Sequence, residues 1–415
     1  MELTLHDIRL AAHPGARLDL GVAGGRIAAI APDLPRGAQA HDLGGRLVAP
    51  GFVETHVHLD KACILDRCAS VDSIPGAIAE TARLKAGFTA EDVAARAGRA
   101  LGKCVSHGTM RMRTHVEVDP RIGLAGFEGV RAALAEWAWA LDAEICVFPQ
   151  EGMTDQPGVE ALMRAALDDG ASVVGACPYA DADPQAQIAR VFAIARDFDA
   201  DIDMHLDFGD GREGMTIDRV IRETEAAGWG GRVTVGHATR WAALDAQATR
   251  ALGRRLAEAG IAVTALPATD LFLTHRAHAA DMDRPRGLAP LAALAGEGVR
   301  CSLSTNNMLN PFTPYGDGSA IRMANLYANI AQIGAPEGMA ACLDMICEGA
   351  ARILRAEDHR VAVGAPANLV VLDAPDAATA VAELAAPLMG WRAGRRSFTR
   401  PAPILHAPSQ GRETR

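Results

Sequence analysis

A chain of 415 residues can bury one large α/β barrel with a small accessory domain as readily as two separate domains. Hydrophobic residues make up 49% of it and aromatics only 4%, so the core is expected to rest on Ala, Val and Leu. The formal net charge is −10, from 41 basic and 51 acidic side chains, and no basic run is dense enough to engage a phosphate backbone, which excludes nucleic acid as a partner.

Residues 1–49 read as hairpins. Short alternating runs such as Arg17-Leu18-Asp19-Leu20-Gly21-Val22 and Arg26-Ile27-Ala28-Ala29-Ile30 are separated by Gly24-Gly25. A similar stretch, Asn368-Leu369-Val370-Val371-Leu372, lies near the other end. The two ends predict a small β-sandwich built from residues 1–49 and 356–400, with 401–415 as a mobile tail. The start Met1-Glu2-Leu3-Thr4-Leu5 has no basic segment leading into an apolar one, and no apolar run approaches the ~18 residues of a membrane span. The eight cysteines form no C-X-X-C pair or framework spacing, as expected of reduced thiols. A cytoplasmic protein without a membrane partner is the expectation.

The middle, residues 50–355, alternates apolar runs with Ala/Leu/Arg/Glu-rich helical stretches. The runs are 47–58, 110–118, 144–150, 172–179, 201–207, 232–239, 262–270 and 300–306, with helices expected over 126–140, 185–197, 217–227 and 242–259. Eight strand-helix units in succession predict a (β/α)8 barrel. Barrel active sites sit at the C-terminal strand ends. There the runs offer His56 and His58, His115 and Glu117, Gln150, Tyr179, His205 and Asp207, His237, Asp270, and Asn306 with Asn307. Any one can be a satisfied buried group; a polar residue ending every strand predicts a polar pocket.

In His56-Val57-His58 the alternation of a strand puts both imidazoles on one face. Such a pair can hold one metal ion with little rearrangement. Two satisfied core histidines would leave the same trace.

The motifs Pro50-Gly51-Phe52-Val53-Glu54-Thr55-His56-Val57-His58, Arg113-Thr114-His115-Val116, Phe148-Pro149-Gln150-Glu151-Gly152, Ile202-Asp203-Met204-His205 and Val235-Gly236-His237-Ala238-Thr239 run nearly end to end. With them the chain resembles the amidohydrolase superfamily, in particular its bacterial cytosine deaminase and triazine (N-isopropylammelide-type) branches. The resemblance implies metal ligands at His56, His58 and His205, a proton shuttle at His237, and a substrate-binding amide at Gln150. Three neutral imidazoles leave an open position on a divalent ion and lower the pKa of its water towards ~7. Glutamine offers a donor and an acceptor to a ring amide. The fourth run carries no lysine of the kind that bridges two metals in binuclear members, which implies one ion: zinc, with iron or manganese as alternatives.

Two positions depart from that pattern. Phe208 stands where the resemblance expects a proton-donating Glu, and Asn306 where it expects an Asp that is ligand and base. Asn306 can offer an amide oxygen to the metal but cannot take a proton. Asp270 ends the seventh run where the pattern has Asn, and neighbouring strand ends are ~5 Å apart. A relocated carboxylate there would bind the metal or serve as base; capping the next loop is the plain alternative. Asp207 shares a face with His205 and is expected to orient a ligand histidine. Phe208 and Phe312 suggest an apolar wall against a planar substrate. Lys61, Asp66 and Arg67 either border the pocket or make surface ion pairs, and Arg284-Pro285-Arg286 either clamps an anion or forms a solvated loop.

The expected function is metal-dependent hydrolysis of a non-peptide C–N bond, by deamination or deamidation of a cyclic or conjugated amine or amide. Ring opening of a cyclic amide or imide is the second reading. A metal-binding homologue without hydrolytic activity is the third, because of Asn306 and Phe208. The partner is a small-molecule substrate, with homo-oligomerisation left open.

Overall fold

Strands from the two chain ends pair with each other rather than with the middle. In the computed structural model, which describes residues 1–275, 287–401 and 403–406, the N-terminal part supplies β1 (Leu3–Arg9), β2 (Leu18–Ala23), β3 (Arg26–Ala31) and β4 (Gln39–Pro50). The C-terminal part supplies β13 (Leu369–Leu372), β14 (Pro387–Arg392) and β15 (Arg395–Thr399). They form one mixed sheet in the order β15-β14-β13-β4-β1-β2-β3. β4 is the seam, parallel to β1 and antiparallel to β13, with Leu47 opposite Leu372 and Pro50 opposite Leu369. This sheet has a core of its own that includes Leu3, Leu5, Leu20, Val371 and Trp391.

The middle forms the eight-stranded parallel sheet of a (β/α)8 barrel: β5 (Phe52–Val57), β6 (Thr109–Glu117), β7 (Asp142–Phe148), β8 (Val173–Ala176), β9 (Asp201–Leu206), β10 (Val233–His237), β11 (Ile261–Ala265) and β12 (Cys301–Leu303). β8 to β12 are buried at every position, as a parallel sheet covered by helices requires. The first and last strands meet through polar groups. Asn306 bridges Val57, Thr55 Oγ1 lies 2.9 Å from Ser302 Oγ, and the buried Glu54 carboxyl accepts from Ser304 Oγ and Thr305 N at 2.9 Å each. Burial pushes Glu54 up to about 7.

The expected helices are present, including Ile217–Ala227, Pro184–Phe198 and Ala246–Ala259. Asp245 starts the last of these by accepting from Ala248 N at 2.8 Å. Three runs differ from expectation. The 47–58 run is two strands, because the chain leaves the terminal sheet at Pro50 and enters the barrel at Phe52. The 262–270 run stops being a strand at Ala265, and Pro267, fitted to a first helical turn, opens a short helix over Pro267–Leu273 that carries Asp270. The last run is a strand only to Leu303. Among the described residues no helix is long and apolar enough to cross a membrane.

Candidate metal centre

Three imidazoles from two strands converge at the mouth of the barrel. His56 lies in β5, His58 just beyond it, and His205 in β9, all essentially without solvent exposure. His205 Nε2 is 3.0 Å from His56 Nε2 and 3.0 Å from His58 Nε2. A ring nitrogen carries either one hydrogen or one in-plane lone pair, so it cannot make two such bonds within the protein. Three lone pairs turned towards one cation account for the arrangement. The spacing is close to the ~3.3 Å that nitrogens ~2.0–2.1 Å from one tetrahedral ion would show. Burial, more than any neighbour, holds the pKa of all three far below the ordinary histidine value, which keeps them in the neutral form a metal needs.

The backbone around this cluster is built for close approach. Gly236 in β10 faces the His56 ring, and a Cβ there would come within 2.9 Å of His56 Nδ1. Asn306, at φ 59°, donates its N–H to His56 O (3.1 Å) and accepts from His58 N at 2.8 Å. Its own side-chain oxygen and nitrogen are buried without a partner. An orphaned amide against a histidine cluster fits a missing ligand, so the residues present fit a divalent ion.

His237 ends β10 at φ 71° and joins the same group: one nitrogen each from His56, His205 and His237 lie within 4.8 Å of one another. Its Nδ1 donates to Asp270 Oδ1 at 2.6 Å, leaving Nε2 as the free nitrogen. Asp270 is fully buried, and its Oδ2 accepts from Leu266 N at 2.9 Å. Burial raises its carboxyl pKa, partly offset by His237. The residue considered as metal ligand or base therefore stands behind His237, placed there by the unexpected helix.

Other expectations need correction or supplement. The Asp207 carboxylate accepts from Thr216 N (2.6 Å) and Trp241 Nε1 (2.8 Å), fixing the loop after β9, and among the described residues it forms no hydrogen bond with a histidine. Two carboxylates stand beside the histidines: Asp60, 3.9 Å from His58 Nδ1, and Asp203, two residues before His205, at 3.7 Å from His56 Nδ1 and 3.4 Å from His115 Nε2. For Asp203 the partners are several. Arg113 Nη1 donates to its other oxygen at 2.9 Å. Burial alone would raise the Asp203 pKa, but His115, His56 and Arg113 outweigh it and hold it well below the carboxylate range. The alternation of Asp203, His205 and Asp207 was the available signal. His115 stacks on His56 with centroids 3.7 Å apart.

Around the histidines lie the residues expected to meet substrate. Phe208 stacks on His237 (4.3 Å, 9°) and packs with Phe312, Ala77 and Leu273. Phe148 stacks on His205 at 4.4 Å. Gln150 is buried; its Nε2 donates to Cys177 Sγ at 3.2 Å, and its Oε1 accepts from Lys61 Nζ at 3.1 Å. Lys61 is thus no surface residue, whereas Arg67 pairs with Asp92 at the exposed rim. Lys61 also donates to Glu117 (2.5 Å), and Glu117 accepts in turn from Lys85 (2.9 Å), which is ion-paired with Asp119 and Glu151 as well. Burial disfavours the Glu117 charge, yet Lys61 and Lys85 pull its pKa down to about 2. Arg284, Pro285 and Arg286 lie outside the described residues.

Comparison with known proteins finds a match to the amidohydrolase family over residues 39–141 and 135–398. A pterin deaminase of Rhizobium rhizogenes (strain K84) is 31% identical over 366 residues, covering 86% of this chain and 82% of the relative. An N-isopropylammelide isopropyl amidohydrolase of Pseudomonas sp. (strain ADP) is 26% identical over 389 residues, with 91% and 92% covered. Among solved structures, 5-methylcytosine deaminase from Klebsiella pneumoniae with 5-fluorocytosine superposes with a TM-score of 0.92 at 28% identity, covering 98% of this chain and 99% of the other.

Proposed function

The chain belongs to the amidohydrolase family and is an enzyme acting on non-peptide C–N bonds; on that premise we propose that it deaminates an amino-substituted nitrogen heterocycle. The observation that carries this reading is the convergence of His56, His58 and His205 on one point, with the His237–Asp270 pair beside it. His56, His58 and His205 would hold one divalent ion, zinc by preference for neutral imidazoles, and Asn306 would add its amide oxygen. When bound, such an ion supplies Lewis acidity and a water of lowered pKa.

The remaining work falls to the protein. Asp270 fixes the His237 tautomer, so that Nε2 faces the reacting centre ready to take a proton and deliver it to the leaving nitrogen. That dyad supports hydrolysis despite Asn306, because the carboxylate absent from the strand-eight position is present one strand away, acting through an imidazole. Phe208 and Phe312 shield the chamber from water and pack against a planar ring, and Gln150 orients it. The relatives' names, a pterin deaminase and a 5-methylcytosine deaminase, support a heterocyclic amine as the substrate. A cytoplasmic setting is supported by eight cysteines, all free.

The test is metal analysis of the purified protein beside an ammonia-release screen over aminopyrimidines, aminopterins and aminotriazines. About one ion per chain with ammonia release is expected. A ring-opened product without ammonia would replace deamination with cyclic-amide hydrolysis, and bound metal with no turnover on any compound would overturn both.

A further inference from the structure

Lys61 is a buried cation at the edge of the histidine chamber, three residues beyond His58, and its side chain is 2% exposed. An ammonium has three hydrogens. Two go to Glu117 Oε1 (2.5 Å) and Gln150 Oε1 (3.1 Å). Among the described residues no oxygen takes the third. The ammonium instead lies 4.5 Å from the ring centroid of Phe312 and 5.5 Å from that of Phe148. Both rings wall the chamber: Phe148 stacks on His205, and Phe312 packs with the Phe208 that stacks on His237.

The carboxylates around Lys61 are all engaged with other groups as well. Glu117 divides its carboxylate, one oxygen to Lys61 and the other to Lys85. Asp119 and Glu151 contact Lys85, not Lys61. Asp60, next in sequence, turns its oxygens to the backbone N–H groups of Lys61 and Glu117 at 2.9 Å each, with Oδ1 3.9 Å from His58 Nδ1, and acts on the Lys61 charge only through space. Across the chamber Phe208 presents a ring, and Asp270 is held behind His237. Gln150 Oε1 gives Lys61 one of its two lone pairs, and Nε2 donates to Cys177 Sγ, so the amide is anchored beside the cation. Among the described residues the chamber wall therefore carries a cation whose neighbouring carboxylates are all engaged.

We propose that Lys61 binds the substrate directly through the third hydrogen of its ammonium, and so selects a ring edge rich in oxygen acceptors, above all one carrying negative charge such as an ionised cyclic imide. The reaction follows from the deaminase reading above; the contact does not depend on it. A charge-assisted hydrogen bond in a buried site is about twice as strong as a neutral one and favours the anion.

Two planar six-membered rings serve as probes: barbiturate, a trioxo ring ionised at neutral pH, and uracil, a neutral dioxo ring. Calorimetric titration of the zinc-loaded full chain is expected to show barbiturate binding at least ~10-fold tighter, about one charged hydrogen bond's worth. Lys61→Met removes the preference and Lys61→Arg keeps most of it. Because Lys61→Met leaves Glu117 short of a partner, the pair Lys61→Met with Glu117→Gln is titrated too, each variant checked by melting and zinc content. Equal affinities in the unmodified protein, no barbiturate binding, or a preference that survives in both variants overturns the assignment. A Lys61-dependent preference without any turnover sinks only the deaminase reading. Turnover of neutral amino rings with no such preference sinks only this one.

Discussion

Two buried polar clusters face each other at the barrel mouth, and they are built on opposite plans. The histidine cluster is electrically neutral and incomplete: His56, His58 and His205 crowd one another, and the Asn306 amide lacks a partner. The lysine cluster is fully charged, with Glu117 spanning Lys61 and Lys85 and with Asp119 and Glu151 closing on Lys85. Unpaired polar groups in a core are costly unless something binds them. The difference teaches which cluster is arranged around a missing ion and which is held together by its own ion pairs, with one ammonium hydrogen of Lys61 left over.

Breaking the incomplete cluster should have the largest effect. His205 is the hinge of the two contacts, so His205→Ala is expected to lose stoichiometric metal and all measurable ammonia release while the fold survives. Inductively coupled plasma mass spectrometry checks the first, and a far-ultraviolet circular dichroism spectrum the last. One ion per chain in that variant would place the metal elsewhere.

One step out, the His237–Asp270 pair separates proton handling from metal binding. His237→Ala should lower kcat by ~10²–10⁴-fold, the usual range for a positioned acid–base group. Asp270→Asn should cost less, ~10–100-fold, as for an orienting partner. Both should keep their metal. Full activity in Asp270→Asn would remove that carboxylate from the mechanism.

Breaking the ion-paired cluster should show in stability. Glu117→Gln leaves two buried ammoniums short of an anion, and removing one member of a buried pair costs ~3–5 kcal/mol. Urea unfolding at pH 7 measures it. The pH dependence has a definite sign. The Glu117 carboxyl is lowered from 4.5 to about 2 on folding, so its contribution is whole above about pH 4.5 and fades as pH falls towards 2. The variant should lack that part of the acid slope.

The incomplete cluster was the more legible of the two in the sequence. His56-Val57-His58 declares itself because a strand's alternation is local, and strand-end placement follows from counting runs. The lysine cluster was hidden because its members lie far apart in the chain, and nothing local distinguishes a lysine that turns inward from one that snorkels to solvent. Asp270 was found but misplaced, since the strand pattern ran on into Pro267–Leu273 and concealed a helix. Asp203 was overlooked although it shares the alternation of His205. What the sequence could not carry is the direction in which a loop turns its side chains.

The loop after β5 shows this most sharply, and it yields the smallest expected effect. Lys61 and Arg67 lie six residues apart in sequence and read alike as rim cations. Lys61 turned inward to a shared carboxylate and a glutamine. Arg67, with its side chain 40% exposed, makes a bidentate pair with Asp92 (3.0 and 2.8 Å). Asp92 also accepts from Arg96 at 2.9 Å, and it is the buried Arg96 that holds the loop, donating to Asp60 O and Ala62 O at 2.9 and 3.0 Å. Removing Arg67 therefore leaves Asp92 partnered and the loop anchored. Arg67→Ala should cost less than ~1 kcal/mol, as exposed pairs do, with turnover and metal content unchanged. A larger loss of stability, or any change in kcat, would mean that the rim of this loop is coupled to the chamber through Asp92 and Arg96.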